Sequence, residues 1–228
     1  MQPPRLLVAS LSRGLGALAP PACLCCRAPL PRAARGPGLC RRCASEIERA
    51  PGRVLRSEAI ECGFAPLDYA GAGRRLVGAL KFGRLLVVAE LAAALIAARA
   101  PAGLLAGTVV PVPAAPLRLA RRGFDPAGEI ALAIAEATAL PVSPCLRRRD
   151  GGHQRGRSRG GRLAATPRFA PIAPAPDRAL LVDDVTTTGA TLDACARALR
   201  LAGSAEVRAV ALAAVPPSPR LPAVGGAA

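Results

Sequence analysis

The chain has 228 residues, 51% of them hydrophobic and 2% aromatic, and it carries a formal net charge of +16. The hydrophobic content is enough for one domain with a small appendage and excludes a chain that is disordered throughout. With no tryptophan and one tyrosine, the chain is poorly suited to building the aromatic platform on which many proteins stack nucleobases. The 31 basic residues include a single lysine, Lys81, and their excess favours partners rich in phosphate.

Residues 1–19 are interpreted as an amphipathic lead-in. A short apolar run near the start resembles the core of a signal peptide, but Arg13 interrupts it. Pro20 and Pro21 stand where a cleavage site would need small residues. The longest apolar run of the chain is interrupted by Glu90 and is not a candidate membrane span. We therefore expect a cytoplasmic protein that does not span a membrane.

Residues 20–56 are predicted to form a small zinc-binding module. They contain two cysteine pairs, each pair separated by two residues, with thirteen residues between the pairs. Thiolates at this spacing can converge on one ion, and two such pairs make a closed structural zinc site. A disulfide cluster in a secreted chain is the alternative, and Cys25 could replace a neighbour as ligand. The predicted ligands are Cys23, Cys26, Cys40 and Cys43.

Residues 57–215 are predicted to form one α/β domain, followed by a disordered tail at 216–228. Asp125 and Pro126 have the residue types of an N-cap and a first-turn proline, so a helix is expected to begin there. Strands that alternate with helices indicate a parallel sheet covered by helices on both faces. The predicted strands are 64–70, 108–112, 141–146, 179–182 and 206–213, and the predicted helices are 73–80, 85–99, 124–139 and 190–201.

The segment 147–168 is predicted to be a basic loop without regular structure, because it is rich in arginine and glycine. Residues 146–170 contain eight arginines and one acidic residue, whereas residues 171–228 contain five basic and five acidic residues. Such a loop can simply be a solvated surface, or it can close over a ligand that carries phosphate. Much of the positive net charge is therefore concentrated in this loop, whereas the segment with the last two predicted strands is neutral.

The most informative segment is 179–191, where an apolar strand leads through Asp183 and Asp184 into a Thr/Gly turn and a helix. Ligands of open α/β sheets bind at the carboxyl ends of strands, and a helix N-terminus offers free N–H groups to an anion. Because carboxylates repel phosphate, the two aspartates are expected to accept hydrogen bonds from sugar hydroxyls instead. The pattern predicts a site for ribose 5-phosphate. The residues expected to bind its phosphate are Thr187, Thr188, Gly189, Ala190 and Thr191.

This segment resembles the signature of type I phosphoribosyltransferases, which bind phosphoribosyl pyrophosphate (PRPP). Together with the cysteine pairs and further motifs, it makes residues 20–213 similar to the ComF family, phosphoribosyltransferase-like proteins associated with competence for DNA uptake. The chain departs from the family pattern on the side of the second substrate, at Ala115, Asp125-Pro126 and Gly160-Gly161. The further motifs are Tyr69-Ala-Gly, Leu80-Lys-Phe82, Val110-Pro-Val-Pro113, Arg121-Arg-Gly-Phe124 and Ser158-Arg159.

The resemblance implies a magnesium-dependent transfer of the phosphoribosyl group from PRPP to an acceptor that the sequence does not identify. Asp183 and Asp184 would hold the ribose and stabilise its cationic transition state. Magnesium would bind mainly through the oxygens of PRPP. Arg159, in a loop that closes over the site, is the third expected catalytic residue. The other residues expected to contact PRPP are Arg118, Arg122, Ser158 and Arg162.

A non-catalytic role is the alternative function. The basic cysteine module and the arginine-rich loop could hold single-stranded DNA alongside the uptake machinery, or the fold could sense PRPP without chemistry. A P-loop nucleoside triphosphatase is excluded, because no GxxxxGK[ST] motif is present. The single histidine, His153, lies in the arginine-rich loop and is interpreted as an exposed, incidental residue.

Overall fold

The computed structural model describes residues 21–31, 38–83, 85–149 and 168–216. The predicted lead-in, most of the predicted basic loop and almost all of the predicted tail lie outside the described residues. Within the described ranges, no helix has the length and apolar character needed to cross a membrane.

The structure contains helices and strands in the alternating order that the sequence predicts. The helices are α1 (Arg41–Glu48), α2 (Gly71–Gly83), α3 (Val87–Arg99), α4 (Pro116–Arg122), α5 (Pro126–Thr138) and α6 (Ala190–Leu201). The strands are β1 (Arg53–Ser57), β2 (Ile60–Ala65), β3 (Leu67–Asp68), β4 (Thr108–Pro111), β5 (Leu146–Arg149), β6 (Arg168–Pro171), β7 (Arg178–Thr186) and β8 (Glu206–Ala214).

The central sheet has the strand order β1-β2-β8-β7-β4, and the short β3 also pairs with β8. Strands β2, β3 and β7 run parallel to β8, and β4 runs parallel to β7. Only β1, at one edge, is antiparallel to its neighbour β2 among the described strands of this sheet. The prediction of an α/β fold with a mostly parallel sheet is confirmed, and β1, which spans the expected module boundary at residue 56, is an addition.

The central strands are apolar on both faces because helices cover both sides of the sheet. Leu180 and Val182 of β7 belong to a core cluster with residues of α2, α3 and α5. Leu181, between them, points to the opposite face and belongs to a cluster with residues of α6, including Cys195. Cys145 lies in that second cluster, and both cysteines are fully buried small side chains.

Several predicted boundaries are confirmed, and four segments differ. The strand predicted at 64–70 is instead the end of β2, which begins at Ile60, and the short β3, and helix α4 was not predicted. Helix α6 has the predicted bounds, and Asp125 caps α5 by accepting a hydrogen bond from the backbone N–H of Ala127 at 3.2 Å. The strand predicted at 141–146 is wrong, since that segment contributes an isolated bridge at Val142. The edges of the predicted basic loop also differ, because β5 and β6 pair as a small antiparallel sheet in which Arg148 stacks over Phe169 at 5.9 Å.

The cysteine module and the sheet domain share one apolar core. Helix α1 begins directly after Cys40, and its buried residues Cys43 and Ile47 belong to the same cluster as Leu76 of α2. Arg99, at the end of α3, donates hydrogen bonds to the backbone carbonyls of Ile47 and Pro66, both at 3.1 Å. The module is therefore packed against α2 and α3.

The entry into β4 gives a prediction about stability. Gly107 has φ of 87°, and a Cβ atom there would collide with the backbone of Arg178 at the start of β7. Gly103 has φ of 77° but open space around it. Gly107→Ala is expected to lower the free energy of unfolding by about 1–3 kcal/mol more than Gly103→Ala, because only the former adds a backbone clash to the strain of positive φ. Urea unfolding followed by circular dichroism measures both losses, and equal losses would contradict the clash.

Candidate functional site

The candidate site lies at the carboxyl end of β7, between β4 and β8. The strand continues through Asp183 and Asp184 to Thr186, which is longer than predicted, because Thr186 still pairs with Ala214 of β8. Successive residues of a strand point to opposite faces, so the two aspartates leave the sheet on different sides. Asp184 is 7% exposed and Asp183 is half-buried. The backbone N–H of Asp184 donates to Oδ1 of Asp183 at 2.8 Å.

Lys81 is a site residue whose role the sequence did not reveal. Its Nζ atom lies 2.7 Å from Oδ1 of Asp184, and both side chains are largely buried. Lys81 comes from the last turn of α2, far from the aspartates in sequence. Two features of the sequence could have marked it as a site residue: it belongs to the motif Leu80-Lys-Phe82, and it is the single lysine among 31 basic residues.

The acidic groups of the site are held in a poorly hydrated environment. Burial, reinforced by the charge of Asp184, raises the pKa of Asp183 to about 7, although the charge of Lys81 opposes the shift. Burial also raises the pKa of Asp125, and the charge of Asp184 acts in the same direction. Carboxyl groups that repel one another in this way are stabilised when a cationic group approaches them.

Asp125 connects the loop after β4 to the start of α5. Its Oδ2 atom accepts a hydrogen bond from the backbone N–H of Ala114 at 3.2 Å, while Oδ1 caps the helix. The sequence predicted the cap but not the bond to the loop. Both bonds fix the position of the segment that leads into α4.

A cavity of about 310 Å³ lies over these residues. It brings together Asp183 and Asp184 with four predicted PRPP-binding residues, although their roles stay predictions. It also contains basic groups from three separate elements, so the cavity combines carboxylates with cations. The predicted residues that line it are Asp183, Asp184, Arg118, Arg122, Thr187 and Thr191, and the further charged residues are Lys81, Asp125 and Arg148. The predicted residues Ser158, Arg159 and Arg162 lie outside the described residues.

The turn between β7 and α6 has the geometry expected of an anion-binding turn. Thr187 and Thr188 are exposed, and Oγ1 of Thr188 accepts a hydrogen bond from the backbone N–H of Ala190 at 3.4 Å. Gly189 has φ of 80° and precedes the first residue of α6. A Cβ atom at this glycine would meet no neighbour, so its backbone conformation rather than lack of space requires glycine. The first N–H groups of α6 are thereby presented at an open surface.

A second cavity, of about 930 Å³, lies on the other side of the same turn. Its walls are the whole of β1, the end of β8 and the turn residues Thr186–Ala190. Thr187 lines both cavities, so the turn separates two spaces that a single ligand could reach. No aspartate or glutamate other than Asp193 is among the described residues that line this larger cavity.

The four predicted ligands of the cysteine module converge. The Sγ atoms of Cys23, Cys26, Cys40 and Cys43 all lie within 4.8 Å of one another, an arrangement that could hold a metal ion. The Sγ atoms of Cys26 and Cys40 are 3.7 Å apart, and a tetrahedron with zinc–sulfur bonds of about 2.3 Å has edges of about 3.8 Å. The prediction that these four cysteines form one cluster is confirmed.

Cys25 is not part of that cluster. Its thiol donates to the backbone carbonyl of Ala72 at 3.6 Å and accepts from Nε of Arg75 at 3.4 Å, so it contacts helix α2 instead. The alternative in which Cys25 replaces Cys23 or Cys26 is therefore not the arrangement found.

The structure is an α/β domain with a mostly parallel sheet, and part of it is similar to phosphoribosyltransferases. Residues 119–223 match the family model of the phosphoribosyl transferase domain, a range that runs from α4 beyond the end of β8. No curated protein matches the chain. The matched range contains both aspartates and the turn but neither the cysteine cluster nor Lys81, and the resemblance of the whole chain to the ComF family stays a prediction.

The raised pKa of Asp183 predicts how stability changes with pH. In the folded protein this carboxyl stays protonated up to about pH 7, whereas in the unfolded chain it ionises above about pH 4. Folding then takes up a proton between these values, so the group's contribution to stability falls as the pH rises through this window.

Asp183→Asn removes this titration. As the pH rises from 5 to 8, the free energy of unfolding of the variant is expected to increase by about 1–3 kcal/mol relative to that of the unaltered chain. Urea unfolding of both proteins at several pH values measures the difference, in which the contributions of the cysteines cancel. If the free energies of unfolding of the two proteins changed with pH in parallel, the raised pKa of Asp183 would be ruled out.

Proposed function

We propose that the protein is a type I phosphoribosyltransferase that uses PRPP with Mg²⁺ and transfers its phosphoribosyl group to an acceptor. The observation that carries the proposal is the pair of adjacent aspartates, Asp183 half-buried and Asp184 buried, shortly before an open, glycine-containing turn at the start of α6. This pair and turn lie inside the range that matches the phosphoribosyl transferase family model. A cytoplasmic role in competence for DNA uptake belongs to the same proposal and rests on the resemblance to the ComF family alone.

In the proposed reaction, the turn holds the 5-phosphate and the aspartates hold the ribose hydroxyls. The bond between C1′ of the ribose and the pyrophosphate oxygen breaks, and a new bond forms between C1′ and a nucleophilic atom of the acceptor. Positive charge builds up on the ribose as the first bond lengthens, and Asp183 and Asp184 stabilise it. Lys81 holds the carboxylate of Asp184 in place at 2.7 Å. Bound magnesium would neutralise part of the charge of the pyrophosphate.

The pyrophosphate is proposed to occupy the 310 Å³ cavity, where it would leave with both bonding electrons. Arg118 and Arg122, from α4, line this cavity and offer guanidinium groups that suit phosphate oxygens. The backbone bond from Ala114 to Asp125 fixes the loop from which α4 begins. Ser158, Arg159 and Arg162 are proposed to complete the site from the arginine-rich segment, with Arg159 acting in catalysis.

The 930 Å³ cavity is proposed to receive the acceptor. It shares Thr187 with the 310 Å³ cavity, so an acceptor held there would lie next to bound PRPP. One of its walls is β1, which spans the predicted end of the cysteine module at residue 56. Strand β1 is therefore the element most suited to determining acceptor specificity.

The proposed metal of the cysteine cluster is a structural zinc ion held by Cys23, Cys26, Cys40 and Cys43. Four thiolates leave no open position for a substrate, which is the arrangement of structural zinc sites. The spacing of the sulfur atoms fits this ion.

The proposal predicts that Mg²⁺-PRPP binds and that each aspartate is needed. Asp183→Asn and Asp184→Asn are expected to weaken PRPP binding by about tenfold or more, because each removes a charge-assisted hydrogen bond to the ribose. Isothermal titration calorimetry measures binding, and release of pyrophosphate in the presence of candidate bases and nucleosides measures transfer. Asp177→Asn is the matched control, since Asp177 is an exposed acid just before β7. Equal PRPP affinity in all four proteins would refute the assignment.

A second candidate function, binding of single-stranded DNA, is favoured by the surface of α4. No residue of this helix is buried, and its leucine Leu117 is 79% exposed beside Arg118. The ring of Phe82, 77% exposed, lies 5.4 Å from the guanidinium of Arg122. An exposed ring next to arginines can stack on a base while the arginines contact phosphates.

If this surface binds DNA, affinity should fall steeply with salt, since phosphate contacts release counterions. Arg118→Ala combined with Arg121→Ala is expected to reduce the slope of log affinity against log salt by about one to two for an oligothymidine probe. Fluorescence anisotropy at several salt concentrations measures the slope. Arg178→Ala is the control, being on the opposite end of the sheet. A slope near zero in the unaltered chain would leave this function without support.

A further inference from the structure

Helix α2 contacts both the cysteine module and the candidate PRPP site. Arg75 lies in its first half, on the side of the module, and Lys81 lies in its last turn, against Asp184. Lys81 lies six positions after Arg75, which corresponds to about 9 Å along the helix axis. One rigid element therefore touches both sites.

Arg75 joins α2 to the module through several groups at once. Its Nε atom donates to Sγ of Cys25 at 3.4 Å, and a terminal nitrogen lies 3.9 Å from Sγ of Cys43, one of the four clustered cysteines. The same guanidinium forms an ion pair with Glu46 of α1. A divalent ion with four thiolates would have a net negative charge of about two, which a guanidinium at this position stabilises.

The packing around Arg75 continues to the active-site end of the helix. Leu76 and Leu80 of α2 are fully buried, and they belong to one cluster with Cys43 and with Val182, the residue directly before Asp183. Close-packed cores transmit small displacements because they contain few voids that could absorb them. A shift of α2 at the module is thus passed to Lys81.

Lys81 is sensitive to such a shift. The side chains of Lys81 and Asp184 are 14% and 10% exposed, so water cannot readily replace either partner of this ion pair. Separation of a largely buried pair leaves two poorly hydrated charges. The carboxylate that is proposed to hold the ribose therefore depends on where α2 places its lysine.

We infer that the metal-loaded cysteine module and the PRPP site are energetically coupled through α2, with Arg75 as the positioning residue. The inference rests on the proposed function, since it takes PRPP as the ligand of the aspartates. Arg75 does not line the cavity that the aspartates share, so it acts on PRPP only through the helix. Coupling of this kind is reciprocal: metal in the module raises affinity for PRPP, and PRPP raises affinity for the metal by the same factor.

The test compares two neighbouring arginines of α2. Arg75→Met removes the contacts to the module, and Arg74→Met alters an exposed arginine of the same helix turn. With one zinc ion per chain verified by elemental analysis, Arg75→Met is expected to bind Mg²⁺-PRPP about fivefold or more weakly, while Arg74→Met binds it unchanged. Arg75→Lys, which keeps a cation opposite Glu46, is expected to recover part of the affinity.

The second measurement is the zinc affinity, obtained by competition with a chromophoric chelator in excess magnesium, with and without PRPP. PRPP is expected to raise the zinc affinity of the unaltered chain and of Arg74→Met by the same factor, and to have almost no effect in Arg75→Met. This difference separates coupling through Arg75 from chelation of zinc by PRPP, which acts equally on all three proteins. If Arg75→Met does not fold, the measurement on the unaltered chain decides.

The outcomes distinguish the coupling from the proposed function. A zinc-loaded chain that binds PRPP, with a zinc affinity that PRPP leaves unchanged, overturns the coupling alone. An unaltered PRPP affinity in zinc-loaded Arg75→Met overturns the role of Arg75. A zinc-loaded, folded chain that does not bind PRPP overturns both the coupling and the proposed function.

Discussion

The contact between Lys81 and Asp184 is the constraint on which the arrangement of the site depends. An acidic pair at the end of a buried strand is costly, because neither carboxylate can be fully hydrated there. Lys81 offsets part of this cost, and it can do so only if α2 ends beside β7. The packing of α2 on the sheet, and of the cysteine module on α2, therefore supports a charge balance at the aspartates.

Much of the fold could be predicted from local sequence patterns. Helix α6 was predicted with its observed bounds because the turn before it and Gly203 after it are strong boundary signals. Strand β1 was missed because a five-residue segment with two arginines lacks the apolar composition typical of a strand. Its pairing with β2 depends on the tertiary fold rather than on local sequence. The strand predicted at 141–146 was wrong because the segment is apolar like a strand, whereas its prolines lack the N–H groups that a ladder of backbone hydrogen bonds needs.

The candidate site also contains residues that the sequence could predict and residues that only the packed structure reveals. The aspartates, the turn and the four clustered cysteines are short motifs whose spacing reflects local geometry, so they could be recognised in the sequence. Lys81 and the bond from Asp125 to Ala114 connect separate elements, and their partners become apparent only when those elements are packed. Cys25 shows the limit most clearly, because its spacing resembles that of a ligand while its thiol faces α2.

The pairing at the far edge of the sheet has a consequence for self-association. The outer side of β4 is covered by the segment at 141–143, since Val109 donates to the carbonyl of Pro141 at 2.8 Å and Ser143 donates to the carbonyl of Val109 at 2.9 Å. Pro111, at the end of the strand, has no N–H to offer a partner. Within the part of the chain that the structure describes, an incoming strand from another molecule would find the backbone groups of Val109 already paired, which limits edge-to-edge aggregation at this edge.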